Sequence, residues 1–191
     1  MLKGARCETA KCPMERQWAN APPGMHSWRR GRSSEYGVRL REKQKVKRYY
    51  GIWESQFMRY FHMAERQKGN TGAALLSLLE RRLDNVVHKL GMASSRKSAR
   101  MTITHGHVSV NGRKVSVPSR LVRVGDLVTI KEVDKSRALI RSRLEELGEP
   151  HLQNWLKLDM TKLEGVVLAM PTREDVLIPV EENMIVELCS R

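Results

Sequence analysis

At His105-Gly106-His107 the spacing of apolar residues changes from a helical to an alternating period, and this change most restricts what the chain can fold into. Upstream, Leu75, Leu76, Leu79, Leu83, Val86, Val87 and Leu90 share one stripe, which predicts an amphipathic helix closed by Gly91. Ser94-Ser95 supplies an N-cap for a second, shorter helix carrying Ala99, Thr102 and Ile103. Downstream, Val108-Ser109-Val110 and Val115-Ser116-Val117 alternate around Asn111-Gly112, a strong hairpin-turn signal. Leu121-Val122 and Leu127-Val128-Thr129-Ile130 predict further short strands around Gly125-Asp126. The region 80–130 therefore reads helix, helix, hairpin, strands.

The flanks read differently. Val46, Tyr50, Trp53, Phe57, Tyr60 or Phe61, and Ala64 recur at spacings of three and four, which predicts one helix over 42–68. Gly69-Asn70-Thr71-Gly72 then breaks the chain. Residues 1–41 hold Pro22-Pro23-Gly24 and few periodic apolar residues, so they are expected to be irregular. Beyond 130, a helical stretch over 136–147 is followed by short apolar pieces at 155–159 and 165–168, and by an alternating segment at 184–188. These tail pieces are expected to pack back on the helices of 42–79.

Charge narrows the partner. Residues 1–130 carry 26 basic and 9 acidic side chains, net +17, whereas residues 131–191 are net −3. A basic chain favours an anionic partner, nucleic acid or a membrane surface. Within 80–130 the candidates are Arg81, Arg82, Ser94, Ser95, Arg96, Lys97, Arg100, His105, Asn111, Arg113 and Lys114, all expected at one end of the unit. Arg96, Lys97 and Arg100 fall in the first turns of a helix, beside backbone N–H groups that also attract phosphate. His105 and His107 either meet nucleic acid or simply shape their turn. Lys43, Lys45, Lys47 and Arg48 crowd the start of the 42–68 helix, where its dipole favours acids; a solvated face and an anionic ligand both account for this. Arg29, Arg30 and Arg32 lie in the extension, which we read as ordering on an anionic surface.

Other classes find little support. No Gly-rich phosphate loop, nucleophile elbow or paired-carboxylate motif is present. Arg82-Leu83-Asp84 matches the catalytic tripeptide of pseudouridine synthases, but it falls inside an amphipathic helix, where Asp84 is expected in a surface ion pair. Cys7 and Cys12, with the distant His26, make an incomplete zinc set, so no metal and no cofactor are expected. Cys189 is expected to act as a small buried hydrophobe. Three cysteines make no disulfide scaffold, and no apolar run approaches a membrane span or signal peptide.

The segments ERRLDNVVHKLGMASSRKSAR, HGHVSVNGRKV and PSRLVRVGDLVTI resemble the RNA-binding domain named after small-subunit ribosomal protein S-four. That domain also occurs in tyrosyl-tRNA synthetases, pseudouridine synthases and a ribosome-rescue protein. The flanks KCPMER, PPGMH, YGVRLREKQKVKRYYGIWESQFMRYF, GNTGAALLSLLERRLDN and IPVEENMIVELCSR resemble the bacterial-type ribosomal family itself. The resemblance implies an α+β fold: a mainly helical domain from the N- and C-terminal parts, with an inserted helix–helix–β-hairpin RNA-binding domain. The expected division is an extension at 1–41, a scaffold of 42–79 plus 144–191, and the RNA-binding domain at 80–143. It further implies a non-enzymatic constituent of the small ribosomal subunit that binds 16S-type rRNA at a 5′-domain junction, nucleates assembly and supports translational accuracy. Implied partners are the rRNA, neighbouring proteins of the S-five type and the mRNA entrance region, with no membrane and no homo-oligomer. The implied location is the cytoplasm, or an organelle of bacterial descent. Some bacterial members complete a zinc site with an earlier cysteine pair; Cys7 and Cys12 match only the second pair. Met101 and Thr104 stand where the family more often has Gln and a basic residue.

Overall fold

The computed structural model describes residues 7, 9–10, 12–15, 24–25, 34–147 and 152–190. Arg29, Arg30, Arg32 and His26 lie outside the described residues. Helix α1, Glu35–Tyr50, starts at Ser34, whose Oγ accepts from the Gly37 N–H at 3.1 Å. It stops at Gly51, which takes a left-handed φ of 64° while the Ile52 N–H donates to the Lys47 carbonyl at 3.0 Å. Helix α2, Glu54–Glu65, resumes after Trp53. The single helix expected over 42–68 is thus two. The break shifts the apolar phase, and Trp53, expected on the buried stripe, is left 81% exposed.

The expected helix ending at Gly91 also divides. Helix α3, Thr71–Glu80, is capped by Asn70 Oδ1, which accepts from Gly72 and Ala73 at 2.8 and 3.2 Å. Helix α4, Leu83–Lys89, follows after Arg82 turns extended and bridges to Leu121. The apolar stripe survives the break because both helices face packed neighbours. Ser95 caps α5, Arg96–Thr104, accepting from the Ser98 N–H at 3.2 Å.

Five strands form one antiparallel sheet in the order β2-β1-β3-β5-β4: β1 Val108–Val110, β2 Arg113–Lys114, β3 Leu127–Ile130, β4 Leu156–Asp159 and β5 Glu164–Val167. Asn111 and Gly112 have φ of 52° and 73°, as a two-residue hairpin turn with both central residues left-handed demands. The return strand comes earlier than expected, at 113–114 rather than 115–117, because Pro118 ends pairing beyond Val115. Helix α6, Asp134–Leu147, lies between β3 and β4 in the chain. Helix α7, Glu182–Cys189, spans the segment read as alternating at 184–188. Its Ile185 is fully buried, with Val186 and Cys189 packed beside it, so docking on α1 and α3 overrides a weak period-two signal.

Two apolar cores result. One joins Val46, Tyr50, Phe57, Phe61, Leu75, Leu79, Val176 and Ile185. The other joins Leu83, Val86, Leu90, Ile103, Val128, Ile140, Trp155 and Val167. The expectation that the whole tail packs on 42–79 is therefore corrected. Residues 176–189 do so, but β4 and β5 extend the sheet, since the free edge of β3 pairs with β5 through Leu127–Val166 and Thr129–Glu164.

Gly165 fits this sheet because its missing side chain leaves room for the Leu90 methyl groups; a Cβ there would overlap Leu90 Cδ1. Leu90 is fully buried and has nowhere to swing. Gly165→Ala is expected to lower unfolding free energy by about 1–3 kcal/mol through overpacking. Urea denaturation measures it, and a loss below about 0.5 kcal/mol would mean the core yields at no cost.

Candidate nucleic-acid interface

A polar network is buried where the two cores meet. Glu80, fully buried, accepts from the Tyr50 hydroxyl at 2.6 Å and from Asn85 Nδ2 at 2.6 Å, and pairs with Lys89 at 2.6 Å. Burial, then the charge of Glu80, raises the Tyr50 pKa well above the usual phenol value, so Tyr50 remains a donor. Burial lowers the Lys89 pKa against the opposing pull of Glu80. Asn85 Oδ1 in turn accepts from Arg96 Nε at 2.7 Å. The Arg96 guanidinium lies 4.0 Å from the Tyr49 ring centroid, a stacked cation–π geometry.

Asp84 sits beside this network and is not on the surface as expected. It is 2% exposed and receives Arg82 Nε at 3.0 Å and Nη2 at 2.6 Å, together with Arg100 Nη2 at 2.9 Å. Arg82 also donates to the Tyr60 hydroxyl at 2.9 Å and is only 1% exposed. Its place among the expected RNA contacts is corrected: a bidentate carboxylate draws the guanidinium inward, where no phosphate reaches it. Arg81 is half-buried, with Nε donating to the Val122 carbonyl at 3.0 Å, and burial lowers its pKa.

The remaining cations gather unevenly. Arg48, Tyr49, Tyr50, Gly51, Arg96, Lys97 and Arg100 line one cleft, formed by the end of α1 and the first turns of α5. Arg100 Nη1 clamps the Gly51 carbonyl at 2.9 Å, which ties the two elements together. Among the described residues, Arg48, Arg96 and Lys97 have no carboxylate within ion-pair distance. Ser95 serves as the cap of α5, and Ser94 is half-buried beside it.

Lys43, Lys45 and Lys47 already have anionic partners. Lys43 and Lys47 both pair with Glu54, Lys47 at 2.9 Å, and these hydrogen bonds lower the Glu54 pKa. Lys45 pairs with Glu42 at 3.1 Å. Of the expected basic cluster on α1, Arg48 is the exposed member that faces the cleft without such a partner.

At the hairpin, Asn111 shapes the turn: Nδ2 donates to Asp126 at 2.8 Å and Oδ1 accepts from the Leu127 N–H at 2.8 Å. Arg113 and Lys114 are exposed on β2, and His105 is exposed beyond α5. His107 meets Ser136 Oγ at 2.8 Å, so it joins α6 to the sheet. Lys114 also lines an open groove over the sheet with Lys131, Arg137 and Lys162. Sequence reasoning missed these last three, which lie far apart in the chain; the sheet order brings Lys162 and Lys114 onto one groove. Arg59 on α2 and Arg66, its C-cap, were missed too, although their spacing of seven with His62 between them was readable.

Within the described residues no group of three or more His, Cys, Asp or Glu could hold a metal. None of their helices is long and apolar enough to cross a membrane.

These features define a protein with a helical unit joined to an α+β unit of the S4 RNA-binding type. The family model described as Ribosomal protein S4/S9 N-terminal domain matches residues 1–80, and that described as S4 domain matches residues 81–128. Small ribosomal subunit protein uS4 of Halothermothrix orenii is 52% identical over 190 residues, covering 100% of this chain and 90% of the relative. The proteins of the same name from Caldicellulosiruptor bescii and Trichlorobacter lovleyi are 52% and 50% identical, with the same coverage. The chain belongs to the uS4 family of small ribosomal subunit proteins. A protein of this family is a structural constituent of the small subunit, and its S4 domain is an RNA-binding domain.

Proposed function

We propose that the chain binds small-subunit rRNA directly, at a multi-helix junction of the 5′ domain, early in subunit assembly. The observation that carries this reading is the cleft where Arg48, Arg96 and Lys97 gather, with Arg96 held by Asn85 and Arg100 tying α1 to α5. Rigid cations at element ends suit phosphates and 2′-hydroxyls of folded RNA better than base edges in a groove. Arg113 and Lys114 extend the contact along the hairpin, with His105 beside them, and Arg29, Arg30 and Arg32 continue it through the extension. Lys43, Lys45 and Lys47 contribute by exchanging carboxylates for phosphates. Ser94, Ser95, Asn111, Arg81 and Arg82 act by holding the elements in place.

A helical scaffold and an RNA-binding unit make up the chain, which acts without catalysis. The remaining surface meets neighbouring ribosomal proteins of the S-five type near the mRNA entrance region, which supports translational accuracy. The assembled protein works in the cytoplasm or in an organelle of bacterial descent, as one copy without homo-oligomers.

Chemical footprinting on naked small-subunit rRNA from the same source tests this. Protection confined to one junction of the 5′ domain is the expected result. Diffuse protection, or none until other proteins are added, would instead make the chain a late or transient binder.

A further inference from the structure

Trp53 belongs to neither core and lines none of the clefts described. Its backbone is held at the start of α2, where its carbonyl accepts from the Phe57 N–H at 2.9 Å, yet its side chain is 81% exposed. An exposed indole forgoes the burial that is the main favourable term in folding. By contrast Trp155, the other tryptophan among the described residues, is 2% exposed. A large aromatic face held in water beside a cationic groove is the arrangement of a base-stacking platform.

The groove is adjacent. Trp53 lies two residues beyond Gly51, so their Cα atoms are at most about 7 Å apart. Gly51 lines the cleft with Arg48, Arg96 and Lys97, and its carbonyl is clamped by Arg100. The wall of the cleft and the backbone that carries the indole are therefore neighbours.

We propose that Trp53 stacks on an unpaired base of the bound RNA whose phosphate occupies the Arg48–Arg96–Lys97 cleft. The inference rests on the RNA-binding function proposed for the chain and names the ligand at that point as a single-stranded nucleotide. A continuous duplex offers no free base face, so the site selects a loop, bulge or junction.

The test uses the full chain and an in vitro transcript of small-subunit rRNA, with filter binding between 50 and 200 mM salt as roughly the useful range. Trp53→Ala is expected to weaken binding about 5- to 150-fold. The salt slope stays unchanged, because stacking releases no counterions. Trp53→Phe keeps a ring and restores most of the affinity, and both variants melt as the wild type does, since the side chain is exposed. An Ala variant within about twofold of wild type overturns the proposal. So does a flattened salt slope, which would mean displaced cations, or a Phe variant no better than Ala. If the wild type itself shows no salt-dependent binding, the RNA reading fails and the stacking site falls with it.

Discussion

Replacing Arg82 with alanine is expected to lower unfolding free energy by about 3–5 kcal/mol, the cost of leaving a buried ion without its partner. Asp84 is 2% exposed, and Arg82 supplies two of the donors that neutralise it. With Arg82 gone, that carboxylate keeps Arg100 as its cation and the Asn85 N–H as a second donor, and the Tyr60 hydroxyl loses its donor. For a chain of this size the loss corresponds to a fall in melting temperature of roughly 2–4 °C per kcal/mol, hence on the order of 10 °C. Arg113→Ala is the control. That side chain is exposed on β2 and its removal should change stability by no more than about 0.5 kcal/mol. Calorimetry or urea denaturation of both variants decides the matter. An Arg82→Ala loss below about 1 kcal/mol would show that water reaches and solvates Asp84. The same experiment separates stability from RNA binding, because Arg82 lies too deep to touch a phosphate.

Removing Arg48, Lys97, Arg113 and Lys114 together should weaken rRNA binding on the order of a thousandfold at about 0.1 M salt, with little change in stability. Each cation withdrawn from a phosphate reduces the slope of log K against log salt by about 0.7 for single strands and 0.9 for duplex. Four such cations therefore flatten it by roughly 3. These four side chains are exposed, and among the described residues none has a carboxylate within ion-pair distance. They thus bring their full charge to a ligand. Lys43 and Lys47 must first give up Glu54, so substituting them should change the slope less per residue. Salt titration of the quadruple variant checks both statements. An unchanged slope would take these residues off the interface and move attention to Lys131, Arg137 and Lys162 over the sheet.

The two expectations separate two kinds of arginine that look alike in the sequence. Arg81-Arg82 and Arg96-Lys97 are both basic pairs at element ends. Arg96-Lys97 borders an open cleft, whereas Arg82 is drawn into the protein by Asp84 two positions later. A spacing of two places both side chains on one side of the chain only because Arg82 is extended, and that conformation belongs to the tertiary bridge with Leu121.

Elements with local signals were legible in the residues themselves. Ser95 caps its helix with its own side chain, and Asn111-Gly112 turns because both residues accept left-handed backbone. The basic character of the first two thirds was equally plain, and long segments such as HGHVSVNGRKV carried the family. Whatever depends on distant partners came from packing instead. Met184 to Leu188 became helix because α1 and α3 offered an apolar surface, and the strands at 156–167 joined the sheet because β3 had an unpaired edge. Trp53 left the core because a glycine two residues earlier shifted the helical phase. In each case the deciding energy is burial or pairing between segments far apart in the chain, and no local pattern carries that information.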